Sequence, residues 1–278
     1  MHSMQVEPLE EALGDNMITV NGEKINVTMF PDGASQVWKL PIIETKPSKF
    51  DIEWNFESEG EIFHLAQLVR LIRQARVPVP INLHMPYLPY GRQDKEVGND
   101  KTFALRVFSS MIKDMSFAKI STVDAHSDLL ERILPNFINY YPDKGIFTSY
   151  AETCANMLAF PDKGASKKYT DIGQYPAIIG DKVRDQLTGY ITSYNIEGDP
   201  RGKNVLIVDD LCDGGMTFIL LAKELLTAGA NSVNLYVSHG IFSKGLNVLR
   251  DAGIERIFTK DGEVTKLKNI NDYIGDLK

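Results

Sequence analysis

The sequence predicts an α/β fold of two units, each a mostly parallel sheet flanked by helices, on three observations. Its 278 residues accommodate two domains at the usual ~100–200 residues each. Hydrophobic residues make up 43% and charged residues 24%, a balance that can bury a core and excludes a largely disordered chain. Apolar strand patterns alternate with helical ones along the chain, as they must when parallel strands are joined by helices.

The elements follow in order. Glu61–Arg76 spaces Ile62, Leu65, Leu68, Val69 and Ile72 at helical intervals. Arg70, Arg73 and Arg76 fall late in that run, where cations suit the negative end of the helix dipole. Val79–His84 reads as a strand and runs into a polar loop; Thr102–Met115 is helical again and Lys119–Val123 is a short strand. Proline-rich turn signals in Leu134–Lys144 make a hinge, dividing the chain into residues 1–137 and 138–278. Beyond it, Asn204–Val208 (NVLIV) is a buried-strand pattern, Thr217–Ala228 is a helix stopped by Gly229, and Val233–Val237 is the next strand. There is no short internal repeat and no low-complexity tract.

Charge and cysteine content exclude several classes. With 30 basic against 37 acidic side chains the net charge is -7, so the chain has no global electrostatic reason to coat nucleic acid or an anionic membrane. A bound phosphate must be held by a local site. Cys154 and Cys212 form no CxxC pair and read as reduced thiols of a cytoplasmic protein. The apolar runs Val205–Val208 and Phe218–Ala222 fall far short of the ~20 residues of a membrane span. Met1–Asn16 carries four acids and no apolar core, unlike a secretory signal.

The most informative stretch is Val205-Leu206-Ile207-Val208-Asp209-Asp210-Leu211-Cys212-Asp213-Gly214-Gly215-Met216-Thr217. An apolar strand leads into carboxylates, then two glycines and a threonine open a helix. Glycines let the backbone turn its N–H groups inward and the helix N-terminus adds partial positive charge, an anion cradle that needs no lysine. Asp213, Gly214, Gly215, Met216 and Thr217 would form it. Asp209 and Asp210 would accept hydrogen bonds from a ribose diol. The Walker pattern is absent, so this is not an ordinary nucleotide loop. The alternative is a helix N-cap by Asp213 with a solvated acidic turn.

This pattern resembles the phosphoribosyl-diphosphate signature shared by phosphoribosyltransferases and ribose-phosphate diphosphokinases (PRPP synthases). Upstream motifs separate the two. Pro86-Tyr87-Leu88-Pro89-Tyr90-Gly91-Arg92-Gln93-Asp94-Lys95 resembles a diphosphokinase segment that simple phosphoribosyltransferases lack. Thr122–Ser127, Phe160–Ala165, Asp181–Arg184 and Phe30–Ala34 are similar to four further motifs of that family, in family order. The ordered set covers roughly residues 28–260 and is specific where no single motif is.

The resemblance implies two phosphoribosyltransferase-like domains and one reaction: ribose 5-phosphate and ATP give 5-phosphoribosyl 1-diphosphate and AMP. It implies that Arg92, Gln93 and Asp94, with Phe30 and Asp32, serve ATP, and that His126 and Asp162 serve Mg2+. It implies that Lys182 and Arg184, on a loop, stabilise the transferring diphosphate. It also implies a homo-oligomer, at least a dimer and up to a hexamer, because the Phe30–Ala34 segment reaches a neighbour's nucleotide site. No nucleic-acid or membrane partner is expected.

The sequence departs from the family at several points. Ala34 stands where a glutamate recognises the base, Gly214 where a threonine is typical, and Met216 where a glycine is usual. Residues Trp38–Phe50 do not resemble the regulatory segment, and the chain is shorter than typical members. Two other readings compete: a catalytically silent regulatory subunit, and a transferase that consumes the diphosphate product.

Overall fold

The computed structural model describes residues 17–266 apart from 39, 77, 97–100, 135, 170–171, 173–174 and 185–190. The acidic opening Met1–Asn16 and the Arg184 side chain lie outside the described residues. The chain divides into two compact units between Tyr140 and Tyr141.

The first unit runs β1 (Ile18–Val20), β2 (Glu23–Lys24), β3 (Asn26–Met29), β4 (Ser35–Trp38), β5 (Phe50–Trp54), α1 (Glu61–Gln74), β6 (Ile81–Met85), α2 (Ala104–Asp114), β7 (Lys119–Val123), α3 (Leu129–Ile133) and β8 (Phe137–Tyr140). Its sheet has the order β2-β1-β5-β6-β7-β8, parallel from β5 to β8 and antiparallel at β1 and β2. Side chains alternate along β5 and β6: Phe50, Ile52, Trp54, Ile81, Leu83 and Met85 are buried, while Asp51, Glu53, Asn82 and His84 point the other way. The buried face meets Leu65, Leu68, Val69 and Ile72 of α1 and Leu105, Phe108 and Ile112 of α2 in one core. That is the stripe the helical spacing predicts. β3 and β4 form a separate hairpin, tied to α1 where the Val37 N–H donates to Gln67 Oε1 (2.9 Å).

The second unit runs α4 (Asp143–Glu152), β9 (Met157–Phe160), α5 (Lys163–Lys168), β10 (Ala177–Arg184), β11 (Ile191–Glu197), β12 (Asn204–Cys212), α6 (Met216–Thr227), β13 (Ser232–Gly240), α7 (Asn247–Arg250), β14 (Ile254–Thr259) and β15 (Gly262–Glu263). Its sheet order is β11-β10-β9-β12-β13-β14-β15, with parallel pairing throughout β10-β9-β12-β13-β14. Here both faces are covered. Val205, Ile207, Val233, Leu235 and Val237 share a core with Phe218, Leu221 and Leu225 of α6. Leu206, Val208 and Tyr236 share the opposite core with Ile146 of α4 and Ala165 of α5.

Three expectations are corrected. The strand expected at Asn204–Val208 continues to Cys212, because its ladder with β13 still pairs Asp209 with Val237 and Leu211 with His239. The acidic pair therefore lies on the strand itself. The segment expected as a catalytic loop is strand β10, whose Asp181 and Lys182 pair antiparallel with Asn195 and Tyr194 of β11. His126, expected to end a strand, lies three residues beyond β7 and is exposed.

Candidate functional site

In the second unit the site is built at the carboxyl end of β12. The strand end is fixed by the Cys212 carbonyl, which accepts from the N–H groups of Ile241 (2.8 Å) and Phe242 (3.2 Å). Asp213 then accepts a 2.6 Å hydrogen bond from Ser243 Oγ, so its side chain does not cap α6. Gly215 is the residue before the helix, in a left-handed conformation at φ 77°, which only glycine adopts readily. A methyl group there would lie 2.9 Å from Leu249 Cδ2, so the turn is closed tightly over the core. The N–H groups of Phe218 and Ile219 already bond the Gly215 carbonyl. Those of the preceding residues form the open, positive end of α6. Met216 is exposed and Thr217 half-buried.

Asp209 and Asp210 are not equivalent. Asp210 is buried and its Oδ2 receives Lys168 Nζ at 3.1 Å. Burial, and next the charge of Asp210, push the Asp209 carboxyl up to about 7, against a backbone hydrogen bond from Asp210. Asp209 Oδ1 accepts that N–H at 2.9 Å.

The Asp162 carboxylate caps α5, accepting the Ala165 N–H on Oδ1 (3.0 Å). Its other oxygen receives Lys182 Nζ at 2.7 Å. Burial pushes this carboxyl up, but the Lys182 hydrogen bond and the helix N–H outweigh it and hold it below the usual range. Arg184 lies on the same strand. Burial also pushes the Cys212 thiol up to about 12, which leaves it inert.

In the first unit the Phe30–Ala34 segment is the tip of the β3–β4 hairpin. The Phe30 N–H donates to the Ala34 carbonyl (2.7 Å), and Asp32 Oδ1 accepts the Ala34 N–H (2.9 Å). Gly33 sits at φ 84°, and Phe30 is 39% exposed, an aromatic face open to stacking. Arg92, Gln93 and Asp94 follow β6 in a turn held by Gln93 N–H on the Tyr90 carbonyl (2.9 Å). Arg92 and Gln93 are exposed. A methyl group on Gly91 would lie 3.8 Å from His126 Cβ, so the Arg92 turn and His126 are neighbours. Behind them Tyr90 joins an aromatic cluster with Phe56 and Phe108 and its hydroxyl donates to Glu59 (3.0 Å).

Among the described residues no three His, Cys, Asp or Glu side chains converge as a metal cage. Asp162 is an oxygen donor of the kind Mg2+ takes, an ion that keeps most of its waters and leans on substrate phosphates. Its Oδ2 already faces a cation, the Lys182 ammonium, so it would be open to a metal ion once that lysine moves. Two residues the sequence reading missed belong to this region, Lys168 and Ser243. Nothing distinguishes Lys168 from Lys167 in sequence; helix geometry half-buries one and exposes the other.

A phosphoribosyl transferase domain model matches residues 172–272. The chain is 26% identical over 187 residues to the ribose-phosphate pyrophosphokinase of Corynebacterium efficiens, covering 64% of this chain and 58% of that protein. It is 26% identical over 266 residues to the putative ribose-phosphate pyrophosphokinase 2 of Streptococcus pneumoniae, covering 88% and 79%. The chain thus spans less than two thirds of the length of some curated relatives and about four fifths of others. The crystal structure of phosphoribosylpyrophosphate synthetase from Mycobacterium smegmatis superposes with a TM-score of 0.68 over 85% of this chain and 79% of that one, at 20% identity, a likeness of fold. In fold, motif order and sequence the chain is thus similar to ribose-phosphate pyrophosphokinases, and most of its second unit matches a phosphoribosyl transferase domain.

Proposed function

We propose that the protein is a ribose-phosphate diphosphokinase, transferring the β,γ-diphosphate of ATP to the anomeric hydroxyl of ribose 5-phosphate and releasing AMP. The observation that carries this reading is the carboxyl end of β12, where Asp209 stands beside a glycine turn that opens a helix. A carboxylate for hydroxyls next to an amide cradle for a monoester is the recognition a pentose phosphate requires.

The 5-phosphate sits on the amides of Gly214–Thr217 with the Thr217 hydroxyl, and Asp209 accepts from the ribose hydroxyls. Arg92 forks onto the ATP phosphates in a way a lysine does not match, with Gln93 and Asp94 beside it. Phe30 and Asp32 at the hairpin tip take the base, with looser base selection because Ala34 supplies no acceptor. The tip serves a neighbouring copy, so the active form is at least a dimer. Mg2+, served by His126 of the first unit and by Asp162 of the second, would neutralise charge on the polyphosphate. Lys182 leaves Asp162 and, with Arg184, stabilises the charge on the migrating diphosphate. Such transfers rest on positioning and charge neutralisation more than on covalent help.

The location proposed is the cytoplasm; among the described residues no helix is long and apolar enough to cross a membrane. The test is to incubate the purified protein with Mg2+, ribose 5-phosphate and each nucleoside triphosphate and identify products by mass spectrometry. AMP and 5-phosphoribosyl 1-diphosphate that require both substrates are expected. Failure to form either product would leave the silent-subunit reading standing, and base-dependent release of diphosphate would favour the transferase.

A further inference from the structure

The acidic pair poses a physical problem. Two adjacent carboxylates at a site for an anionic sugar phosphate repel each other and the ligand. The geometry resolves it by strand parity. Leu206 and Val208 face the core shared with α4 and α5, whereas Val205 and Ile207 face the core shared with α6. Successive strand residues point to opposite faces, so Asp210 belongs to the α5 side and Asp209 to the α6 side, where the glycine turn lies. Lys168 on α5 meets Asp210, with side chains 16% and 8% exposed. The ammonium also stands 5.4 Å from the centre of the Tyr169 ring, which is buried and stacked at 6.2 Å on Phe160 of β9.

Resting on the diphosphokinase reading, we infer that Lys168 is a positioning residue for ribose 5-phosphate: it anchors Asp210, leaving Asp209 alone to recognise the sugar. The two acids thus divide the work. Asp210 ties the end of β12 to α5 and never meets the ligand. Asp209, on the same two-residue step of backbone, is aimed by that tie toward the cradle. The ion pair also removes one negative charge from beside an anion-binding turn.

The experiment is titration calorimetry of ribose 5-phosphate into the full chain, with steady-state kinetics for both substrates. Lys168→Met should weaken ribose 5-phosphate binding on the order of 10–100-fold, as loss of a supporting partner behind a ligand-binding group does at metal sites. The KM for ATP should be little changed, and Lys168→Arg should restore binding. Because Lys168→Met strands a buried carboxylate and risks unfolding, the double variant Lys168→Met/Asp210→Asn is the second arm. With no unpaired charge it should melt near the wild-type temperature, yet still bind ribose 5-phosphate weakly because the anchor is gone. Wild-type affinity in either the single or the folded double variant would overturn the inference. Wild-type protein that neither binds ribose 5-phosphate nor makes product would instead sink the functional reading on which it rests.

Discussion

The two sheets of this molecule are wound from similar parts but buried differently. In the first unit the central strands bury every second residue, as in Phe50-Asp51-Ile52-Glu53-Trp54. In the second, β12 buries Val205, Leu206, Ile207 and Val208 in succession. The difference is one of cover: α1 and α2 share a single core with the first sheet, whereas helices place separate cores on both faces of the second. A strand buried on both faces has no slack. The second unit therefore offers the stiffer platform, and it is there that the proposed amide cradle, with its sub-ångström demands, lies. The first unit carries the residues proposed to serve ATP on a hairpin tip and a turn, elements that can adjust to a flexible polyphosphate.

The largest expected effect falls on the stiff platform. Lys182→Ala should lower turnover by about 10²–10³-fold, the scale of removing one group that stabilises transition-state charge. Ribose 5-phosphate binding should be largely kept, since the phosphate cradle does not involve this lysine. Steady-state turnover read beside calorimetric affinity checks the split, and a turnover within a few-fold of wild type would remove Lys182 from the mechanism.

The difference in cover is testable by alanine pairs. Leu206→Ala and Ile207→Ala, neighbours facing opposite cores, should each cost about 2–5 kcal/mol. In the first unit Ile52→Ala should cost a similar amount, while Glu53→Ala should change stability by no more than about 0.5 kcal/mol. Denaturant midpoints decide it. Equal costs for Ile52 and Glu53 would mean that the second face of the first sheet is covered after all.

A third prediction uses the site's electrostatics. The Asp209 carboxyl is pushed up to about 7 by burial and then by Asp210, so the folded state holds a proton that the unfolded chain, near 3.8, releases first. Stability from this group is full below the unfolded value and is lost as pH rises through the folded one, at most about 4 kcal/mol. Asp209→Asn should therefore flatten the fall in melting temperature between pH 4 and 8, gaining on wild type at the alkaline end. An unchanged profile would show that Asp209 ionises normally.

Much of the second unit was legible because its signals are one-dimensional. A run of four apolar residues, a glycine pair and a helical stripe name β12, the cradle and α6 without reference to other parts of the chain. The first unit was read less completely. Phe50, Ile52 and Trp54 alternate plainly, yet five residues interrupted by acids do not stand out until β1 and β6 are seen beside them. The parts of the site that escaped were those made by contact between distant segments. Lys168 meets Asp210 across 42 residues, Ser243 meets Asp213 across 30, and Lys182 rests on Asp162 across 20. No spacing rule carries such pairs. The motif order pointed to these segments, while strand parity puts the two acids of the pair on opposite faces of β12.

The smallest expected effect separates the two units through their turn glycines. Gly33 and Gly215 share nearly the same left-handed backbone, at φ 84° and 77°, so a side chain at either meets the same intrinsic strain of roughly 1–2 kcal/mol. Their surroundings differ. Nothing lies within 4 Å of a methyl group added at Gly33, whereas at Gly215 it would stand 2.9 Å from Cδ2 of Leu249, itself fully buried and unable to yield without disturbing its core. Gly215→Ala should thus lose a further 1–3 kcal/mol or so from overpacking and weaken ribose 5-phosphate binding as the amides shift. Gly33→Ala should show the backbone strain alone and keep that binding intact. Paired thermal melts and calorimetry on the two variants check this. Equal losses would mean that the cradle is no more tightly held than the hairpin tip, and the contrast between a rigid sugar-phosphate platform and an adjustable nucleotide arm would fail at the place where it is drawn most sharply.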